Sequence, residues 1–414
     1  MRIQLVKLFF VMIFLYSNVL QYLWMEIPLA SPLLCAGLYF CTILYVMQSR
    51  GSLRLRDAFP TEILLLFLFA FIIIAGGLAT AYNKTVLLTE CLRYIQNLLT
   101  AVCLLVICNA DGNIYFPVKT IAYTAFFMAV KTIFWGHLLR YGRYTFAPGL
   151  NPNAFGIIML MGIFCFFVLS IGKRPAFLLF SLTAIGFILY GVMLTGSRKT
   201  LLGILLFIGI WFVTQFIPAL YRKSPILCIT VTFASIMTVA GLLLIFWQPL
   251  SETPMVQRLM HFSDESGNIV RLSMYGTAID LLLQHPLLGI GFNQFQFIGG
   301  FGFYSHSTYA ELLSCTGIIG TIVYGAVFII MITHMVQAYR AASRDRAARS
   351  GVMLSFGFLA VILFLAVGII LFYELFGFIM LVLIIAGNQQ ALMLSHPFKN
   401  RKNREDYAYQ GHLA

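Results

Sequence analysis

Three short stretches of the chain gather residue types suited to holding and transferring an anionic group. The first is LTGSRKTLLG, residues 194–203, a very short turn that puts Ser197 and Arg198 at the mouth of a helix. A helix N-terminus offers free backbone N–H groups and partial positive charge, and an Arg fork there suits bidentate phosphate binding. The second is Arg271, followed by HPLLGIG at 285–291; the third is SHSTYAELLSCTGIIG at 305–320, with His306 at the start of an apolar run. A histidine, with an unperturbed pKa near ~6.5, can take a hydroxyl proton as general base or simply orient the hydroxyl. Glu311 stands one turn into that run, either orienting His306 or hydrogen-bonded as structure. Arg140 and Arg143, in HLLRYGRYTF, suit a diphosphate or lipid headgroups. Plainer readings stand beside these: His306 as an interfacial cap, Arg198 and Lys199 as anchors of a tight turn, Arg271 paired with Asp280.

The elements that must position these residues follow from composition. The chain has 414 residues, 61% hydrophobic and 10% charged, against roughly 25% charged in an average soluble domain. That excludes a soluble globular protein and implies a surface that mostly faces lipid. Twelve apolar runs are long enough to cross a bilayer: 5–23, 29–47, 61–80, 85–108, 117–137, 151–171, 176–194, 200–217, 226–246, 308–335, 352–371 and 375–395. The first contains Lys7 and lacks a small-residue cleavage site, so it reads as a retained helix. The expected fold is an all-α polytopic membrane protein, one integral domain over 1–414.

The net charge of +13 is first a statement about topology. With a cytoplasmic N-terminus, 18 of the 27 Lys and Arg residues fall in inside loops, so both termini are expected to be cytoplasmic. The other nine are Lys84, Arg93, Lys131, Arg140, Arg143, Arg198, Lys199, Arg258 and Arg271. Arg93 and Lys131 lie inside apolar runs, where a charge costs ~3 kcal/mol or more and faces a polar cavity or a partner. Glu90, one turn before Arg93, is such a partner. Nine cations at one face suggest an external basic cavity for an anionic substrate, with membrane lipids and not nucleic acid as the wider surroundings.

Loops are short except for the external stretch 247–307. Within it Ile269, Leu272, Tyr275, Ala278, Ile279 and Leu282 recur at helical spacing, which predicts an amphipathic helix at the membrane surface, stopped by Pro286. Gly289, Gly291, Gly299, Gly300 and Gly302 read as a flexible connection back to the membrane. His137, His261 and His285 lack ligand spacing, so no metal and no cofactor is expected. The eight cysteines all fall in apolar runs, where Cys behaves as a small apolar residue. The external acids Glu26, Glu252, Asp264, Glu265, Asp280 and Glu374 form no glycosidase-like pair. Twelve spans also fit a transporter or a flippase of lipid-linked glycans, but no repeat links the halves and a long external loop is not needed for transport.

The ordered set of motifs resembles the O-antigen ligase and O-antigen polymerase superfamily of bacterial membrane glycosyltransferases. The resemblance covers roughly residues 145–335 and rests on the Ser197-Arg198 turn, on Arg271 some 15 residues before the Pro-Leu-Leu-Gly-Ile-Gly phrase, and on the stretch from His306 to Gly320. GLNPNAFG at 149–156 resembles the Asn-Pro-Asn start of a span in the same family, whereas Ser307 stands where many members carry Asn. The resemblance implies a GT-C-like fold and metal-independent transfer of a glycan from undecaprenyl diphosphate to a sugar hydroxyl, outside the bacterial inner membrane. It implies His306 as general base, Arg198, Arg271, Arg140 and Arg143 at the diphosphate, and Glu311, Arg93, Lys131 and Ser197 in support. The acceptor is a lipid-linked repeat unit for a polymerase and the lipid A core for a ligase. The ELLSCTGIIG phrase leans toward the polymerases, for which a chain-length regulator is a further possible partner.

Overall fold

The computed structural model of the protein describes residues 3–23, 27, 29–49, 59–139, 142–171, 173–245, 247–260, 266–342 and 346–395. Among the described residues a long helix stands at each of the twelve apolar runs. They are α1 (Ile3–Leu23), α2 (Ala30–Gln48), α3 (Thr61–Thr80), α4 (Lys84–Asp111), α5 (Tyr115–Trp135), α6 (Pro152–Ser170), α7 (Pro175–Thr195), α8 (Arg198–Tyr221) and α9 (Pro225–Ile245); the last three are given below. The stretch 247–307 contributes α10 (Pro254–Met260) and α11 (Ser266–Gln284), after which come α12 (Thr308–Ala341), α13 (Arg346–Leu365) and α14 (Leu375–Ser395). Among the described residues ten helices are long and apolar enough to span a membrane, α5 and α9 being the two long ones outside that set. The chain is an all-α polytopic membrane protein.

Local sequence sets the helix ends. Asn83 caps α4 by accepting from Val86 N at 3.1 Å, Asn151 caps α6 with Pro152 behind it, and Gly196 ends α7 at φ +61°. Helices α4, α6 and α14 are buried along most of their length and form the interior around which the others pack. All eight cysteines are free and buried. One bundle end carries the Lys7–Asp111 pair at 2.8 Å and the Glu62–His334 pair at 2.7 Å; the functional candidates gather at the other.

The stretch 247–307 departs from expectation in two ways. Helix α11 buries only part of the stripe expected of it: Ile269, Leu272 and Ile279 are exposed, while Ala278 and Tyr275 pack with Met274 and Leu281 against Ala310 and Cys315 of α12. The buried face is rotated because α11 has a protein partner to satisfy. Nor are Gly289 and Gly291 a flexible connection. Helix α12 breaks at Gly317 (φ +60°, ψ −164°), and residues 286–291 run into the break. Ile318 N donates to Pro286 O (2.8 Å) and Ile319 N to Leu287 O (3.2 Å), while Ile290 N and Gly291 N donate to Ser314 O (2.9 Å) and Cys315 O (3.1 Å). The groups freed by the break are thereby paired, as backbone at membrane depth requires. Phe292 follows into the core, against Tyr94 at 6.0 Å and Phe372 at 5.6 Å, and Gln294 exchanges hydrogen bonds with the backbone of Asn83.

Only glycine fits this crossing. A Cβ on Gly317 would lie 2.5 Å from Leu287 O, and one on Gly289 would lie 2.5 Å from the Cys315 carbonyl carbon. Gly317→Ala is therefore expected to lower stability by about 2–4 kcal/mol, through a forced left-handed backbone and a clash that no flexible side chain can relieve. Thermal unfolding of the purified variant checks this; an unchanged midpoint would mean that the crossing does not hold the bundle together.

A candidate active site at one end of the bundle

His306 is held by its neighbours on both sides rather than by its own ring. Its backbone lies in the left-handed region, φ +58°, a conformation that L-residues adopt only when their surroundings impose it. The surroundings are dense. Ser305 N donates to Glu311 Oε2 at 2.9 Å, and Tyr373 OH donates to Glu311 Oε1 at 2.9 Å. Ser307 caps α12 by accepting from Ala310 N at 3.4 Å. Thr308 N donates to Ala366 O and Ile369 O, and Thr308 Oγ1 donates to Ile369 O at 2.6 Å. Glu311, fully buried, thus fixes the loop that carries His306 and does not touch the ring through any hydrogen bond.

The turn between α13 and α14 is the hub of this end. Its carbonyls accept from Lys199 Nζ (at Gly368), from Tyr275 OH (at Val367, 2.7 Å) and from Thr308, so that α8, α11 and α12 are tied to one peptide segment. Gly368 makes room for this: a Cβ there would stand 2.7 Å from Lys199 Nζ.

Lys199 and Arg271 are the cations that bear on His306. Arg271 sits on the face of α11 that carries Met274, Tyr275 and Ala278, is half-buried, and lies within electrostatic reach of Lys199 and His306. Asp280, nine residues on and about half a turn round the helix, forms no ion pair with it among the described residues. Lys199 meets the Gly368 carbonyl and lies within electrostatic reach of Arg271. Neither cation has a carboxylate within ion-pair distance among the described residues. Burial first, then Lys199 and Arg271, hold the His306 imidazole down to about 4, so the ring is neutral at neutral pH.

The remaining candidates are arranged around this group. Arg198 points to the other side of the turn, donating from Nη1 to Arg258 O at 3.2 Å, while Arg258 Nη1 donates to Gly196 O at 2.7 Å. Arg143 donates to Thr195 O at 2.7 Å and to Asn153 Oδ1 at 3.0 Å. Arg143, Arg198 and Arg258 therefore wrap the Thr195–Arg198 turn. Ser197 is buried, its Oγ 3.0 Å from Thr200 Oγ1, and makes no side-chain cap bond. Lys131 donates to Phe146 O and lies 4.6 Å from the Phe146 ring centroid, tying α5 to the strand pair His137–Leu138 and Tyr144–Thr145. Arg93 is exposed and pairs with Glu90 at 3.1 Å. Arg140 lies outside the described residues.

Glu311→Ala is expected to strand two donors, Ser305 N and the Tyr373 hydroxyl, at about 1–3 kcal/mol each. The measurable result is a lower unfolding temperature together with a faster-exchanging amide at Ser305; Glu311→Gln, which keeps acceptor capacity on one oxygen, should lose less.

Residues 182–325 match the family model described as O-antigen ligase. The match runs from α7 to the first half of α12 and takes in Ser197, Arg198, Lys199, Arg258, Arg271, His306 and Glu311. Arg93, Lys131, Arg140 and Arg143 precede it. No curated protein matches the chain.

Proposed function

We propose, starting from the O-antigen ligase match over residues 182–325, that this multi-pass membrane protein is a polymerase of O-antigen or a related surface polysaccharide in the bacterial inner membrane. It transfers a glycan from undecaprenyl diphosphate to a sugar hydroxyl of a lipid-linked repeat unit, with the site on the outer face. The observation that carries this reading is the pair of cations Lys199 and Arg271, uncompensated by any described carboxylate, beside a neutral His306.

The reaction these groups support is a single displacement. The acceptor oxygen forms its bond to the anomeric carbon as the bond from that carbon to the diphosphate oxygen breaks. The diphosphate leaves with the electron pair, and the hydroxyl proton passes to the free nitrogen lone pair of His306. Charge that develops on the diphosphate is met by Lys199 and Arg271, already oriented, so no reorganisation is needed at the moment of transfer. Arg198 and Arg143 hold the turn that presents Lys199. Inversion at the anomeric carbon follows from a single displacement.

Deletion of the gene in its host, with the surface polysaccharide resolved on a gel, tests the reading. A core capped by single repeats is the expected result. Bare core with accumulated lipid-linked polymer would assign the chain to the ligases instead, and an unchanged ladder would remove both.

A further inference from the structure

Two groups of residues gather near His306. One holds Lys199 and Arg271. The other is built from Phe303, Tyr304 and Glu374. Glu311 joins the two segments that form it, since its carboxylate accepts from Ser305 N and from Tyr373 OH, both at 2.9 Å. Tyr304 adjoins the Ser305 donor, and Glu374 lies within electrostatic reach of Tyr304. Asn97 Nδ2 reaches Tyr373 O at 3.4 Å, and Glu90, Arg93 and Asn97 share one face of α4, so the Glu90–Arg93 pair lies behind Glu374. The Tyr304 ring meets the imidazole at 4.6 Å and Phe303 meets it at 5.6 Å, yet both stay open to solvent, 37% and 43% exposed.

Two groups there have chemistry unspent. The Tyr304 hydroxyl makes no hydrogen bond among the described residues, and neither does the Glu374 carboxylate, which also forms no ion pair among them. With Arg93 paired to Glu90, Glu374 is the acid left over on this side. Solvent-open aromatic rings offer a flat apolar surface for the C–H face of a pyranose, and a carboxylate with two free oxygens accepts from neighbouring hydroxyls. A sugar carrying its own carboxylate would meet like charge at the same place.

We infer that Phe303, Tyr304 and Glu374 form the subsite that seats the terminal sugar of the acceptor beside His306, and that this subsite takes an uncharged pyranose in preference to an acidic one. The assignment rests on the transferase reading above, and places donor and acceptor beside one imidazole.

Saturation-transfer NMR on the purified protein in lipid nanodiscs, with methyl glucoside, methyl N-acetylglucosaminide and methyl glucuronide as probes, tests it. The expected result is transfer to one or both neutral glycosides, with about tenfold less to the glucuronide. Tyr304→Ala should abolish the signal and Tyr304→Phe should keep it. Glu374→Gln should weaken the neutral probes about tenfold and narrow their advantage over the glucuronide. Inorganic pyrophosphate, followed by phosphorus line broadening in the same samples, should bind to these variants as to the parent protein. The subsite is overturned if no neutral glycoside receives saturation, if the glucuronide does so equally, or if Tyr304→Ala and Glu374→Gln change nothing. Failure of pyrophosphate to bind the parent protein would instead count against the transferase reading, leaving the sugar result to stand by itself.

Discussion

His306→Ala should lower glycan transfer by about 10²–10⁴-fold, the range that a positioned general base contributes. The ring is neutral at neutral pH because burial, Lys199 and Arg271 all disfavour its charged form, holding it down to about 4. A base so weak is poorly matched to a hydroxyl in the unloaded protein. Donor binding changes this, since a diphosphate placed on Lys199 and Arg271 offsets two of the three causes and lets the imidazole rise toward its ordinary value. The sign follows: the protonated ring cannot accept, so the rate climbs with pH through the His306 pKa. The acid limb of kcat/KM, which reports the unloaded protein, should fall near 4, and that of kcat should sit higher. His306→Asn separates a base from an orienting group. Asn tolerates the left-handed backbone that His306 occupies at φ +58° and keeps a hydrogen-bonding side chain, but it cannot take up a proton near neutrality. Loss of transfer in both variants, with normal gel filtration and pyrophosphate binding, is the expected outcome. Near-parental transfer by His306→Asn would reduce His306 to an orienting role.

The spans were legible because lipid allows only one solution to a long apolar run, so run length maps directly onto helix. That Arg271 and His306 belong to one neighbourhood follows from residue type and order along the chain, and the structure brings the two within electrostatic reach. Lys199 was not legible in this way, and the reason is geometric. It adjoins Arg198, and neighbours on a helix point about 100° apart, so only the packing of α8 decides which of the two faces His306. Arg198 was the natural choice on chemistry alone, as the bidentate phosphate binder. The turn at 365–370 left no side-chain signature, since it acts through main-chain carbonyls; Gly368 was its one visible mark. Gly289 and Gly291 depart from the flexible connection expected of them for a related reason. Glycine serves both a flexible connection and a close approach of two backbones, and the sequence does not say which until the break at Gly317 supplies the second backbone.

Lys199→Gln and Arg271→Gln should each lower transfer by about 10²–10³-fold, the usual cost of removing one preorganised group that stabilises developing charge. Their joint effect should be less than the product, because both act on the same diphosphate and raise the same imidazole when removed. Each single variant should also lose affinity for pyrophosphate, which His306→Ala should keep; that split separates holding the leaving group from taking the proton. Lys199→Arg is expected to restore little, although it restores the charge. The Lys199 stem lies against Gly368, where even a Cβ would come 2.7 Å from Nζ, and a guanidinium is longer and planar. Gly368→Ala gives the same test from the other side. It leaves Lys199 in place chemically but displaces its ammonium, and transfer should fall about tenfold or more, as misplacement of a catalytic group by an ångström allows. Pyrophosphate affinity should fall with it. If Gly368→Ala and Lys199→Gln both bound pyrophosphate and transferred glycan like the parent protein, the diphosphate would have to lie on the Arg143–Arg198–Arg258 side of the turn, and Lys199 would be a structural tie between α8 and the loop after α13.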